Sequence, residues 1–276
     1  MNITISAFLL TKNEERNLPD CLESLSWVNE IVVVDDESSD RTVEIARSAG
    51  CKVVVQGMKS YPEQRALGIS HCSHDWILWL DADERITPTL RKEIQTRLSV
   101  DANKYTAYYV LRQEFLLGRS VNYTDWGARY YWGKTYHLRL FRKDRWCFKP
   151  DQKVHERLEG EGPVGRLYHL LHHTNANPDL DTRFNKTVRY ARLEAEMRYQ
   201  CGFRVKWYDF IFRPLLGFFK SFVWFRGFMD GVNGLVIAWC NLITQVCICS
   251  YVYEKQEEMT GLEVRKREIQ SLWRNS

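Results

Sequence analysis

Trp76-Ile77-Leu78-Trp79-Leu80-Asp81-Ala82-Asp83-Glu84 sets an apolar run directly against an acidic cluster. A short apolar run bounded by polar residues reads as a strand buried on both faces. At its carboxyl end the chain leaves the pleat, so Asp81 and Asp83 can converge on one point instead of alternating across the sheet. Ile31-Val32-Val33-Val34 repeats the arrangement: it is β-branched and ends on Asp35-Asp36. Residues 3–10 and 53–55 read as further strands. Helix signals lie between them. Leu18, Leu22 and Leu25 share one face of 13–28, Asp40 stands as N-cap of a helix through Ala49, and 61–72 forms another. Thr87-Pro88 opens a fourth, reaching about Leu98. Strands alternating with helices predict an α/β fold with a parallel sheet. Ligands in such sheets bind beyond the carboxyl ends of the strands, where both acidic pairs sit.

Residues 101–175 read differently. Segments 105–112 and 136–142 alternate as strands, the second with its basic residues on one face. Gly118, Gly127, Gly133 and the glycines of 160–165 mark loops. Strands and long loops covering the site are expected here. Residues 178–200 predict a helix, with Phe184, Val188, Ala191 and Ala195 at helical spacing, and 254–274 is charge-dense and helical. The expected division is 1–175, in halves 1–100 and 101–175, followed by a helical extension over 176–276.

A chain of 276 residues can bury a core without disulfides or a structural metal. Its net charge of +4 is too small to argue for nucleic acid. The eight cysteines contain no CxxC pair and read as reduced, buried thiols of a cytoplasmic protein. The N-terminal run lacks a basic segment and a small-residue cleavage site, so secretion is not expected. The aromatic residues are concentrated. Of 37, 11 fall in 203–228, among Arg204, Lys206, Arg213, Lys220 and Arg226. Rings interleaved with cations suit the headgroup zone of a membrane. Residues 231–253 then carry no charge, a length that can span a bilayer at roughly 20 helical residues. They also contain Gly231, Asn233, Gly234, Asn241, Thr244 and Gln245. Interfacial or re-entrant attachment, a buried helix at a dimer contact, and a true span are all open on this reading.

Two hard carboxylates at Asp81 and Asp83 suit Mg²⁺ or Mn²⁺ carrying a diphosphate. Asp36 can accept hydrogen bonds from a base or from ribose hydroxyls, the plainer alternative being an Asx-turn. His169, His172 and His173 have no companion cysteines at metal spacing, and packing or acceptor contact is expected of them.

Leu10-Thr11-Lys12-Asn13-Glu14-Glu15, then Val32-Val33-Val34-Asp35-Asp36-Glu37-Ser38-Ser39-Asp40-Arg41-Thr42, then Leu80-Asp81-Ala82-Asp83-Glu84 together resemble the family 2 glycosyltransferases. The resemblance covers nearly all of 1–95. It implies a GT-A fold, a mixed sheet flanked by helices, and an inverting transferase using a nucleotide-activated sugar, usually a UDP-sugar, with Mg²⁺ or Mn²⁺. It lays Thr11, Asn13, Glu14, Asp35 and Asp36 at the nucleoside. Asp81, Ala82 and Asp83 become the DxD motif, with Asp83 the direct metal ligand, and Arg65 the residue reaching the donor. Leu138 to Arg142, Val154-His155-Glu156 and Arg226 to Gly231 look like a narrower branch, the lipopolysaccharide inner-core β-1,4-glucosyltransferases acting on heptose. That branch implies a lipid-linked saccharide acceptor and attachment, through 203–253, to the inner face of the bacterial cytoplasmic membrane; an oligomer is allowed.

An inverting displacement needs a base for the acceptor hydroxyl. Glu156 is the candidate, with Asp151 and Glu159 in reserve. His155, Arg139 and Arg142 are candidate phosphate or acceptor contacts. Rival readings are a polyprenyl-phosphate, capsular or peptide acceptor, and a non-catalytic nucleotide-sugar-binding membrane protein.

Overall fold

The computed structural model describes residues 3–101, 103–123, 136–148, 158–174, 179–259 and 261. The chain forms two compact units, 1–120 with 131–176, and 121–130 with 177–276.

The first unit opens as the sequence predicts. Strands β1 (Ile5–Thr11), β2 (Glu30–Asp35), β3 (Lys52–Val55) and β4 (Trp76–Asp81) alternate with helices α1 (Leu18–Ser24), α2 (Thr42–Ser48) and α3 (Tyr61–His71). β1 pairs in parallel with β2 and β4, and β2 with β3. Period-two alternation sorts the side chains into two layers. Ile5, Ala7, Leu9, Leu78 and Leu80 pack with α1, while Phe8, Val32, Val34 and Ile77 pack with Ile69 of α3. After β4 come β5 (Glu84–Ile86) and α4 (Pro88–Asp101), and Thr87 Oγ1 accepts from the Leu90 amide as the predicted cap.

α1 is shorter than the leucine spacing suggests. Residues 13–17 are instead drawn to the loop after β2. Asn13 N–H donates to Ser38 Oγ, Glu14 N–H to Thr42 Oγ1 and Glu15 N–H to the Asp40 carboxylate. Asn13 adopts a left-handed φ of 56°, which ends helix propagation there. Asp40 precedes α2 by two residues, yet its carboxylate accepts from the Thr42 amide and so serves the helix start.

The second half extends the sheet and does not simply cover the site. β6 (Ala107–Leu116), β7 (Arg119–Val121), β8 (Tyr136–Arg142) and β11 (Val164–His173) complete a nine-stranded sheet. Its order is β3-β2-β1-β4-β8-β6-β11-β5, with β7 on β6. β9 (Trp146–Phe148) and β10 (Leu158–Gly160) form a separate antiparallel pair. β8 is antiparallel to both β4 and β6, which makes the sheet mixed. Of the glycines expected to mark a loop at 160–165, Gly165 lies inside β11 and Gly160 ends β10.

β11 leaves its register on β6 between Arg166 and Leu170. The bulge frees the Tyr168 and His169 amides from the ladder, and both donate to the Glu93 carboxylate of α4 at 2.9–3.0 Å. Glu93→Ala leaves these amides without that acceptor and is expected to cost about 2 kcal/mol in denaturant unfolding. Burial opposes the Glu93 charge, but the His169 and Tyr168 bonds prevail and lower its pKa from 4.5. A depressed carboxyl stabilises the fold above its unfolded value and loses that contribution as pH falls through the folded one. The gap between wild type and Glu93→Ala is therefore expected to narrow below about pH 4.5. An equal gap at pH 7 and pH 3.5 would show that the carboxylate is not the group that matters.

The second unit is helical: α5 (Leu180–Gln200), α6 (Asp209–Phe219) and α7 (Val232–Met259). Ala191 and Ala195 of α5 pack with Ile248, Cys249 and Val252 of α7. Phe184 and Val188, expected on that stripe, are 37% and 40% exposed, and Thr187 takes the inward place. A π-helical turn at 220–224 and a 3₁₀ turn at 227–230 join α6 to α7. Gly234 sits where a Cβ would fall 1.8 Å from the Gly227 carbonyl oxygen, so only glycine permits this backbone approach. All eight cysteines are free thiols, as expected, though Cys147 and Cys201 are exposed and not buried.

Candidate active site

Parallel register brings three strand ends together. Thr11 lies beside Asp35, and Leu10 beside Asp81. The cleft at these ends is lined by Thr11, Lys12, Glu14, Asp36, Tyr61, Gln64, Arg65, Asp81, Ala82 and Asp83, over a floor of Leu10 and Val34. Residues from four separate sequence motifs thus share one opening. A larger hollow lies between α1, α2 and the β2–β3 edge. There Arg41 pairs with Glu44, Glu30 binds Ser6 and Ser73, and Lys52 donates to the His71 carbonyl; the sequence's acidic motifs converge instead on the smaller cleft.

The remaining sequence candidates fall elsewhere. Asp35 is fully buried and does not line the cleft; it accepts from Thr11 Oγ1 at 2.7 Å and from the Ser38 amide and hydroxyl. Asn13 also stands outside the cleft, with its side-chain oxygen accepting from the Ser39 amide. Both therefore shape the loops that carry Asp36 and Thr11. Arg142 faces Trp76, at the opposite end of β4 from Asp81, because β8 runs antiparallel there. It pairs with Asp144 at 3.0 Å. Glu159 lies on β10, facing Cys147. Glu156, His155 and Asp151 lie outside the described residues.

Arg139 meets the acidic cluster directly. It is 2% exposed, and its Nη2 donates to Asp81 Oδ2 at 2.8 Å and to Glu84 Oε1 at 2.6 Å. Its guanidinium stacks on Trp79, 4.1 Å from the ring centroid, and Arg65 stacks on the same ring at 4.4 Å. Nε and Nη1 of Arg139 are buried with no hydrogen-bond partner among the described residues. Burial works against the Asp81 charge, but Arg139 outweighs it and holds the carboxyl at about 2. Glu84 has no exposed surface; burial pushes its pKa up against the pull of Arg139. Burial also brings Arg65 down to about 10, with Asp81 pulling the other way.

Sequence reasoning missed the far side of this network. His173 bridges Asp83 Oδ2 at 3.1 Å and Glu114 Oε2 at 2.8 Å. Arg112 joins Glu114 at 2.7 Å to Glu84 at 3.4 Å. Asp81, Arg139, Glu84, Arg112, Glu114, His173 and Asp83 therefore form one continuous chain of charges. Burial disfavours a charged His173, yet its bonds to Asp83 and Glu114 raise its pKa to about 9. His173 reaches Asp83 because β11 pairs with β5, placing it opposite Glu84. No local sequence signal marks that pairing.

The carboxylates of Asp81 and Asp83 open on the same cleft as hard oxygen donors, which fits a divalent cation. Among the described residues no three acidic, histidine or cysteine side chains form a ready metal cage. Two carboxylates in an open cleft match Mg²⁺ or Mn²⁺ completing its shell with phosphate oxygens and water.

A parallel half-sheet with an acidic crevice at its carboxyl edge, extended by antiparallel strands, is thus the frame that carries these side chains. The sequence model of Glycosyl transferase family 2 matches residues 6–148. The lipopolysaccharide core biosynthesis glycosyltransferase LpsC of Rhizobium meliloti (strain 1021) is 32% identical over 250 residues, 86% of this chain and 89% of that one. Among solved structures, S. aureus TarS 1–349 aligns over 91% of this chain and 83% of that chain, at 17% identity and a TM-score of 0.44. Glucosyl-3-phosphoglycerate synthase from Mycobacterium tuberculosis, solved with Mn²⁺ and UDP-glucose, covers 40% of this chain and 44% of its own, at 22% identity and a TM-score of 0.35. The chain belongs to glycosyltransferase family 2. It is a glycosyltransferase, and its mixed, helix-flanked sheet is of the GT-A class.

Proposed function

We propose that the enzyme transfers glucose from UDP-glucose, with inversion, to a heptose of a lipid-linked lipopolysaccharide core. The observation that carries the reading is the single cleft holding Thr11, Asp36, Arg65, Asp81 and Asp83. Likeness to LpsC along most of both chains supports the choice of acceptor.

Thr11 and Asp36 take the nucleoside. Asp36 is pre-set for this by the Met58 amide, which donates to its Oδ1 at 2.6 Å, and by Lys12, 3.5 Å from Oδ2. Asp81 and Asp83 hold the divalent cation, which when bound neutralises charge on the diphosphate leaving group. Arg65 and Arg139 add fixed positive charge beside Asp81. The acceptor hydroxyl oxygen forms its bond to the anomeric carbon as the sugar–phosphate bond breaks. UDP departs with that electron pair, and the hydroxyl proton passes to the Glu156 carboxylate. Residues 1–175 perform this chemistry, and 176–276 attach the enzyme to the inner face of the cytoplasmic membrane, where a lipid-linked acceptor resides.

The purified chain, given UDP-glucose and a heptose-containing core acceptor, is expected to release UDP and form a β-linkage visible in the anomeric proton coupling. Chelation by EDTA is expected to lower turnover about a hundredfold or more, with recovery on adding Mn²⁺. An α-linked product, or turnover indifferent to EDTA, would overturn the mechanism.

A further inference from the structure

We infer that the exposed face of α6 and the π-helical turn after it lies in the plane of an anionic lipid bilayer, while α7 stays packed along α5 and does not cross it. The inference rests on the reading of 176–276 as membrane-attached and says which surface does the attaching.

α6 is apolar on its exposed side as well as on its packed one. Ile211, Phe212, Leu215, Leu216 and Phe219 recur at spacings of one, three and four, one helical stripe, and all are exposed, Leu216 at 65% and Phe212 at 59%. Val223 and Trp224 continue the stripe, with Trp224 at 78%. The inward face packs Phe210 on the α5–α7 core and Phe218 on Trp239, beside buried Asp209, Pro214 and, just beyond, Ser221. With that face already packed, a helix facing only water would carry polar residues on the other.

Charge selects the occupant. Lys206 and Lys220 are exposed at the two ends of the stripe. The only acidic residues of 203–253 are both engaged within the fold. Asp209 pairs with Arg213 at 2.7 Å, and Asp230 accepts from the Asn122 and Tyr123 amides. The surface therefore offers apolar and cationic groups together, the combination that binds anionic headgroups and the acyl boundary beneath them. A two-fold contact pairing the stripe antiparallel with a second copy of itself would set Lys206 of one copy near Lys220 of the other.

α7 is long and apolar enough to cross a membrane. Its packing argues against that. Ile248, Cys249 and Val252 pack on Ala191 and Ala195 of α5, Lys255 pairs with Glu196, and Gln256 bonds the Val205 backbone. A spanning α7 would draw α5 into hydrocarbon, with Arg189, Arg192, Glu194, Glu196 and Arg198 along it.

The test is flotation of the full chain with vesicles of phosphatidylcholine alone and with added phosphatidylglycerol. Wild type is expected to bind the anionic vesicles, and at least about tenfold more weakly the neutral ones. The double variant Leu216→Ser/Phe219→Ser is expected to lose about tenfold in binding to the anionic vesicles, with an unchanged thermal melt and unchanged UDP-glucose binding. Brominated lipid is expected to quench wild-type tryptophan emission, and Trp224→Phe to remove much of that quenching. Undiminished vesicle binding by the double variant would overturn the α6 assignment and leave the membrane reading standing. No vesicle binding by wild type would sink both. A wild-type dimer in light scattering that the double variant dissolves would show that a second copy covers this face.

Discussion

Asp83→Ala is expected to lower sugar transfer by about a thousandfold at saturating donor, equivalent to roughly 4 kcal/mol of lost transition-state stabilisation. If Asp83 holds the cation, the loss is expected in kcat, because that cation would offset the charge that develops on the leaving diphosphate as its bond breaks. Asp83 also has a structural tie, since His173 Nε2 lies 3.1 Å from its Oδ2. Removing the carboxylate therefore does two things, and a second variant separates them. Asp83→Asn keeps an oxygen that can face His173 but lacks the second anionic donor for a cation. His173→Gln leaves Asp83 intact and removes its charged neighbour. If Asp83 is a metal ligand, Asp83→Asn resembles the alanine variant in turnover and in Mn²⁺ affinity measured by electron paramagnetic resonance. His173→Gln then retains Mn²⁺. Wild-type Mn²⁺ affinity in Asp83→Ala would remove the residue from the metal site whatever its turnover.

The sequence disclosed what is local. Apolar runs ending on Asp35-Asp36 and Asp81-Ala82-Asp83 announced strands and put their carboxyl edge at the centre of the chemistry, because a strand's end is a property of a few consecutive residues. Thr87-Pro88 announced its helix for the same reason. The contacts that tune the site are non-local. Arg139 reaches Asp81 across 58 residues and His173 reaches Asp83 across 90, through pairings of β8 and β11 that no sequence window contains. Arg139 and Arg142 looked equivalent in sequence. Antiparallel register sends one toward the acidic cluster and the other to the far end of β4. The resemblance lays both Asp35 and Asp36 at the nucleoside; Asp35 ends β2 with its carboxylate buried on Thr11 and Ser38, and Asp36, one residue past the strand, lines the cleft. The uncharged stretch 231–253 was ambiguous because a core helix and a spanning helix share one composition. What α7 packs against, α5, lies outside that stretch and leaves no mark in it.

Arg139→Met is expected to destabilise the first unit by about 3–5 kcal/mol, the range for removing one partner of a buried ion pair. For a unit of this size the melting temperature would fall by roughly 10 °C. The cost does not come equally from the two carboxylates. Asp81 is 39% exposed at its side chain and can recover water when Arg139 is gone. Glu84 has no exposed surface, and the cations left near it are both committed elsewhere: Arg112, at 3.4 Å, is shared with Glu114, and His173 bonds Asp83 and Glu114. Glu84 is thus the group stranded by the substitution. Its pKa is already raised by burial, and without Arg139 it rises further until the carboxyl takes up a proton. A carboxyl whose folded pKa lies above its unfolded value costs nothing below the unfolded value and progressively more as pH climbs toward the folded one. The deficit of Arg139→Met is therefore expected to be larger at pH 7.5 than at pH 5, and Arg139→Met/Glu84→Gln to recover much of it at pH 7.5. Arg139→Lys keeps the charge but neither the planar stack on Trp79 nor the reach to both carboxylates, and falls between. A pH-independent deficit, or one that Glu84→Gln fails to relieve, would mean that the cost lies in lost packing on Trp79. A stable Arg139→Met with a raised KM for donor would instead make Arg139 chiefly a ligand for the diphosphate.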